Sequence, residues 1–367
     1  MHDESAHLEI PEPSQLRGPF PPYQRPAELL SYSLDEDRHI QFDDRELSCY
    51  YPPPLGSCLF DRMATYKTRD MTVNEHLDNL LTSLVHAKRE KSLPSIGRPR
   101  FLTFRGILTK ILCLPYNSRE GWELGATLYK GTIHLEEHMT EDRLDRERAL
   151  PQHVRRLMYS GYRFETVSTL DFDPRELQGR DDPRISARYD KDTNNLSEFN
   201  CVFKTKLGDH SILMGAEIDC VCYGMEKEGR GERYLELKTS TLINSPSSRE
   251  SFEKHKLLRY YIQSFLAGIP QIHVGFRDSR GVLRAIRSFK TAEIPRFVRN
   301  KNYWDPSVCF RFADRFLTWL TEVITVDDPH TSYTIRYDPA TRTVTANFAG
   351  LSGAFLIPDY VEEFRTW

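Results

Sequence analysis

The sequence predicts an α+β fold, a mixed β-sheet core flanked by helices. Three observations carry this. Strand-like and helix-like segments follow one another without the strict alternation of a doubly wound fold. Three apolar strand-like runs, residues 198–206, 211–223 and 233–240, are spaced as a meander. A long amphipathic helix follows them and stops at Gly268 and Pro270. The 367 residues include 20 Phe and 18 Tyr, enough for a sizeable core, and no repeat or long linker divides them. A single large domain over 31–367 is expected, preceded by an arm over 1–30.

The elements follow in order. Pro11, Pro13, Pro19, Pro21, Pro22 and Pro26 favour an extended path laid over a surface. Residues 72–84 read as a helix: Thr72 and Glu75 have capping-box spacing, and Val73, Leu77, Leu80, Leu81 and Leu84 form one stripe. Residues 101–112 look like a strand containing Arg105, and 122–135 are strand-rich. Residues 151–158 suit a short helix with Pro151 in its first turn and Gly161 as its stop. A strand over 162–169 and a polar loop over 171–195 come next. Gly208-Asp209 and a loop over 224–231 join the meander strands. Ser247 and Glu250 cap a helix over 248–267, with Phe252, Leu258, Tyr261 and Ile262 on its apolar face. Residues 271–277 and 282–290 form a hairpin, 310–324 a helix, and 333–337 with 343–348 a last hairpin.

Composition narrows the function classes. No apolar run approaches the ~18 residues of a membrane helix, so a membrane-spanning protein is not expected. The first ten residues are polar and acidic, unlike a secretory signal. Seven scattered cysteines, an odd number, read as reduced thiols. The net charge of -3 points neither toward nor away from nucleic acid. The distribution says more. Residues 88–110 hold seven basic side chains against Glu90 alone, and 277–301 hold eight against Asp278 and Glu293. Phe101, Phe104, Phe276, Phe289 and Phe297 lie in or beside them. Such stretches suit a polyanion with stackable bases, or are faces whose charges are answered by acids elsewhere in the fold.

The chemistry concentrates in residues 215–238. Glu217 and Asp219 interrupt an apolar run and, in one strand, share a face. Seventeen residues after Asp219 comes Glu236, followed by Leu237 and Lys238. If the strands pair as a hairpin, three carboxylates and an ammonium meet on one side of a sheet. Acids in an apolar strand are costly unless paired or metal-bound. Hard oxygen donors at this density suit Mg²⁺ or Mn²⁺. An acid on one strand and acid-x-Lys on the next is the pattern of PD-(D/E)xK nucleases; a cross-strand salt bridge on a solvated face is the plainer alternative. Glu165, Gln263 and Arg105 could complete a site as a fourth carboxylate, a water-orienting amide and an anion-binding guanidinium.

Phe104-Arg105-Gly106, the Gly-Tyr-x-Phe-Glu run of 161–165, Glu217-x-Asp219, Glu236-Leu237-Lys238 and Gln263, in this order, resemble the DXO family of decapping nucleases. Fungal members of that family accompany the nuclear 5′-to-3′ exoribonuclease. The resemblance implies a core related to the PD-(D/E)xK fold and a divalent metal held by Glu165, Asp219, Glu236 and the carbonyl of Leu237. It implies that Glu217 acts through a metal-bound water, and that Lys238 and Gln263 hold the attacking water or the scissile phosphate. Arg105 would grip substrate phosphate. It implies an RNA substrate with an unusual 5′ end (a triphosphate, an incompletely methylated cap or a NAD cap), a nuclear location and an exoribonuclease partner. A nuclease that cuts internal phosphodiesters, or a non-catalytic subunit, are the alternatives. A further motif, His134-x-x-Glu137-His138, matches an inverzincin pattern that needs a helix, whereas the residues before it are strand-like.

Overall fold

The computed structural model describes residues 5–94, 97–223 and 233–366; the loop expected at 224–231 lies outside them. Its strands are β1 (Ala6–Glu9), β2 (Ala27–Leu34), β3 (Ile40–Gln41), β4 (Cys49–Tyr50), β5 (Phe101–Phe104), β6 (Trp122–Tyr129), β7 (Thr132–His138) and β8 (Thr169–Leu170). The series continues with β9 (Glu198–Leu207), β10 (His210–Glu217), β11 (Cys220–Val221), β12 (Tyr234–Thr241), β13 (Gln271–Arg277), β14 (Leu283–Lys290), β15 (Ser332–Asp338) and β16 (Thr343–Gly350). Helices are α1 (Asp78–Arg89), α2 (Arg105–Cys113), α3 (Glu141–Arg148), α4 (Gln152–Val167), α5 (Pro183–Ala187), α6 (Pro246–Ser251), α7 (Leu257–Leu266), α8 (Ile294–Val298), α9 (Pro306–Val323) and α10 (Pro358–Glu363).

The strands form two sheets. One has the order β1-β16-β15-β6-β7-β5-β10-β9-β2-β3, the other β14-β13-β12-β11-β4-β8. Both are mixed: β5 runs parallel to β7 and β10, and β12 runs parallel to β13. Alternation along β10 sends Ile212 and Met214 to one side and Leu213 to the other. Ile212 and Met214 join Ile272 and Val274 of the second sheet in one core, which α2, α7 and α9 fill with Ile111, Ile262 and Phe316. Leu213 packs outward under α1 and α10, with Leu84 and Tyr360. Phe164 and Val167 of α4 cover the far face of the second sheet, on Leu235 and Leu237. No helix among the described residues is long and apolar enough to cross a membrane. All seven cysteines are free.

Several sequence expectations are corrected. The helix expected at 72–84 begins at Asp78, because His76 takes a left-handed φ of 46° and Asp70, not the helix, caps Thr72. Glu75 is no capping residue; it pairs with Arg38 and Arg69. The strand over 101–112 stops at Phe104, and Arg105 opens α2, where Ile107, Leu108, Ile111 and Leu112 make a helical stripe. Gly161 does not end a helix: α4 runs through it, so 162–169 is helical almost to its end. The run 211–223 is not one strand but two, β10 and β11, in different sheets. The helix at 248–267 is capped by Ser245 with Ser248, and a π-helical turn, Phe252–Lys256, splits it. The helix expected from 310 starts at Pro306, with Asp305 as N-cap. Of the arm, Ala6–Glu9 adds a strand to β16, Pro13–Leu16 is a 3₁₀ turn, and the Phe20 and Tyr23 rings rest on Phe310.

Where α4 crosses the second sheet, a Cβ on Gly275 would stand 2.7 Å from the Phe164 ring. Gly275→Ala is therefore expected to destabilise the fold by about 1–3 kcal/mol, as overpacking does. The check is the urea midpoint, which should fall; an unchanged midpoint would show that Phe164 can turn aside.

Candidate active site

The chain leaves the first sheet at Glu217 and enters the second at Cys220, and the site forms at this seam. Glu217 ends β10, Asp219 follows in the two-residue crossing, and β12 brings Glu236 and Lys238. Helices on either side add the rest: Arg105 from α2, Glu165 from α4, Gln263 from α7. The structure thus brings together every residue singled out from sequence, but between two sheets rather than on one face of a hairpin. β11 pairs with β12 only at Leu235 and Tyr234.

Glu236 is the centre, with 0% exposure. Arg105 Nη1 donates to its Oε2 (3.1 Å), while Lys238 Nζ (2.6 Å) and Gln263 Nε2 (2.7 Å) donate to its Oε1. Burial pushes the Glu236 carboxyl up, but Arg105 and Lys238 outweigh it and hold it below the usual range. Asp219 Oδ2 accepts from the Leu237 backbone N–H (2.6 Å) and lies 3.8 Å from Lys238 Nζ.

The other acids are raised. Burial first, then Glu236, moves Asp219 to about 6. Glu217 opens to the cavity beside it yet is ringed by protein; burial, then Glu198 and Asp219, moves it to about 8. Burial and Asp219 push Glu165 well above its ordinary value. Four carboxylates thus face two cations, Arg105 and Lys238. The surplus of two negative charges equals the charge of one divalent cation. The donor set of hard carboxylate oxygens fits Mg²⁺ or Mn²⁺. The acids do not converge on a common point: the Lys238 ammonium stands between Asp219 and Glu236 as their internal counter-ion. Among the described residues, the one trio of side chains with converging ligand atoms is Asp35, Asp37 and His39, mostly exposed.

A cavity of about 420 Å³ opens beside the acids, lined by Arg105, Glu217, Gln263, Arg38, Glu198 and Met71, among others. Glu198 and Arg38 were not legible from sequence. Arg38 Nη1 binds Glu198 (3.0 Å), and its other nitrogens bind Glu75. Glu198 lies beside Glu217 because β9 and β10 pair Asn200 with Glu217. One acid at the start of an apolar strand carries no distinguishing signal.

The inverzincin pattern falls on β7, a strand. His134 is fully buried against the Tyr360 hydroxyl (3.0 Å) and pushed down to about 4 by burial. His138 sits between Glu136 and Glu123. Glu137 is paired with Lys110 and Arg143. Much of the first basic stretch is likewise answered internally: Arg89 by Asp359 and Glu363, Arg105 by Glu236.

The RAI1-like PD-(D/E)XK nuclease family model matches residues 24–361. A decapping and exoribonuclease protein of Xenopus laevis is 38% identical over 346 residues, 89% of this chain and 82% of that protein. The crystal structure of Candida albicans Rai1 with pU5 and Mn²⁺ superposes with a TM-score of 0.85 at 26% identity, covering 99% of both chains. That of Scheffersomyces stipitis Rai1 with 3′-NADP⁺ and calcium gives 0.83 at 27% identity, covering 95% of this chain and 98% of that one.

The crowding has a signed pH dependence. A carboxyl group whose folded pKa is raised adds stability while protonated. That contribution is whole below pH of about 4 and is lost as pH rises through about 6 for Asp219 and about 8 for Glu217. The thermal midpoint of the metal-free protein should therefore fall between pH of about 5 and about 8, and millimolar Mn²⁺ should abolish the fall. A midpoint indifferent to both would overturn the charge surplus.

Proposed function

The chain belongs to the RAI1-like PD-(D/E)XK nuclease family, and on that premise we propose that it is a metal-dependent hydrolase of RNA 5′-end phosphate linkages. The observation that carries the reading is the buried acid-x-Lys of β12. Glu236 and Lys238 face Asp219, Glu165 and Gln263 with a surplus of two negative charges. The names of the relatives support a decapping activity, and the ligands of the two Rai1 structures support RNA and dinucleotide substrates and a divalent ion. Removal of pyrophosphate from a 5′-triphosphate, of an incompletely methylated cap or of a NAD cap are the finer forms of the proposal. So are a nuclear location and an exoribonuclease partner, which rest on the motif resemblance.

Glu165, Asp219, Glu236 and the Leu237 carbonyl would hold the metal, with Glu217 acting through water. The chemistry a divalent ion would supply there is polarisation of a phosphoryl oxygen and acidification of a bound water. The chain's own groups do the rest. The Lys238 ammonium, which lies between Asp219 and Glu236, would meet the phosphoryl oxygens. Gln263 offers an amide fixed by α7, able to orient the attacking water. Arg105 keeps Glu236 ionised and adds positive charge to the wall of the cavity, where phosphate enters. Glu165, Glu217 and Asp219, the three raised acids, would be relieved of their mutual repulsion by a cation held among them.

The deciding experiment offers RNAs with 5′-triphosphate, unmethylated-cap, NAD-cap and monophosphate ends, in Mg²⁺ or Mn²⁺, and identifies the products. Release of pyrophosphate or an intact cap nucleotide supports the reading; cleavage at internal phosphodiesters alone, or none, overturns it. Lys238→Ala and Gln263→Ala should slow single-turnover hydrolysis by about 10²–10³-fold, the cost of one preorganised donor. RNA binding in calcium should be largely kept; collapse of binding with the rate intact would make both residues substrate clamps.

Asp219→Ala should abolish turnover in a folded protein, because it relieves a crowded acid. Glu236→Ala should also abolish it, and in addition lose about 3–5 kcal/mol of stability, because it strands Arg105 without a partner. Urea unfolding of the two variants separates these outcomes, and equal midpoints would contradict the assigned role of Glu236.

A further inference from the structure

The open edge of β12 leads from the acids to two cations, Lys256 and Arg277, that are hydrogen-bonded to hydroxyls. Beyond Leu235 no strand pairs with this edge among the described residues. Lys256 Nζ donates to Ser240 Oγ (3.2 Å). Ser240 is on the same strand face as Lys238, two residues and about 7 Å further along. On the α4 side, Arg277 is 3% exposed and donates its Nε to Ser160 Oγ (2.9 Å). Gly161, the next residue, lies against Thr239: a Cβ there would be 3.9 Å from its Oγ1. The Tyr260 hydroxyl, which donates to the Thr239 carbonyl (2.9 Å), feels both Lys238 and Arg277.

A buried cation ordinarily has a carboxylate partner. Within the same basic stretch Arg284 has Asp278, Lys290 has Glu293 and Lys301 has Glu253. Among the described residues Lys256 has the Ser240 hydroxyl as its hydrogen-bond partner, and Arg277 has the Ser160 hydroxyl, the face of the Phe60 ring at 5.8 Å and, more distantly, the charge of Asp278. Burial pushes both below their ordinary values, Lys256 further by the charge of Arg277. Two backbone irregularities aim them. Lys256 ends the π-helical turn between α6 and α7. A register shift in the β13–β14 pairing falls between Phe276 and Arg277. Both devices give up regular hydrogen bonding and re-aim side chains, and both cluster at functional sites.

We propose that Lys256, Arg277 and Ser240 form a binding site for the RNA backbone phosphate that adjoins the one held at Lys238. The proposal rests on the function given above and extends its substrate: the enzyme would grip a strand rather than an isolated 5′ nucleotide. Lys256, half-buried, makes the contact; Arg277 beneath it supplies fixed charge. Contacts of this kind ignore base identity and depend on salt.

The test compares uridine triphosphate, which has no adjoining phosphate, with a ten-nucleotide 5′-triphosphate oligouridylate. Lys256→Gln should raise KM for the oligomer about tenfold and leave that for uridine triphosphate within about twofold. Lys256→Arg should restore it, and Lys254→Gln, on the exposed side of the same turn, should change neither. In calcium, without hydrolysis, Lys256→Gln should weaken binding of 5′-phosphorylated decauridylate but not of uridine monophosphate. Its salt dependence should drop by about 0.7 in slope. Equal losses for both lengths, or none, overturn the site. If the wild type hydrolyses neither substrate, the proposed function falls, and the calcium measurement still decides whether this site exists. Should Arg277→Gln fail to fold, Lys256→Gln alone carries the test.

Discussion

Glu236 is an ionised carboxylate with no access to water, and much of the surrounding structure answers that fact. A lone carboxylate at this depth would take up a proton. Arg105, Lys238 and Gln263 prevent it, and each comes from a different element. α2 begins where it does so that Arg105 points back at the seam from its first turn. α7 lies between the sheets so that Gln263 reaches the same oxygen as Lys238. The three donors tie a strand of the second sheet to two helices of the middle layer, so the acid holds the layers together as well as facing the cavity.

The remaining acids are arranged on the opposite principle. Glu165, Glu217 and Asp219 are placed close to one another and given too few donors. One carboxylate is satisfied within the chain and three are left short of positive charge. That inequality separates a metal-binding arrangement from a structural ion-pair network, in which charges balance. Arg38 and Glu198 continue the pattern outward, since Arg38 neutralises Glu198 and Glu75 at the cavity wall and leaves Glu217 unrelieved.

The sequence disclosed the residues of the site better than the path of the backbone through it. Acids in an apolar run betray themselves by their cost, so Glu217, Asp219, Glu236 and Lys238 stood out, and motif order added Arg105, Glu165 and Gln263. The secondary structure under Arg105, Glu165 and Asp219 differs from what the local sequence suggests. Gly161 looks like a helix stop, yet α4 passes through it with its residues Phe164 and Val167 packed on Leu235 and Leu237 of the strand beneath. Arg105-Gly106 looks like the middle of a strand because the apolar residues on both sides match either period. The break at Ile218-Asp219 was invisible, since β10 and β11 read as one apolar run and only tertiary pairing assigns them to different sheets. Glu198 gave no signal because its role comes from the register of β9 against β10.

That break has a mechanical consequence. Two residues join sheets of ten and six strands, and one of the two is Asp219. The sheets cannot slide or tilt against each other without changing the spacing of Asp219, Glu217 and Glu236. The geometry of the acids is therefore set by the packing of the two sheets as much as by the residues that carry them.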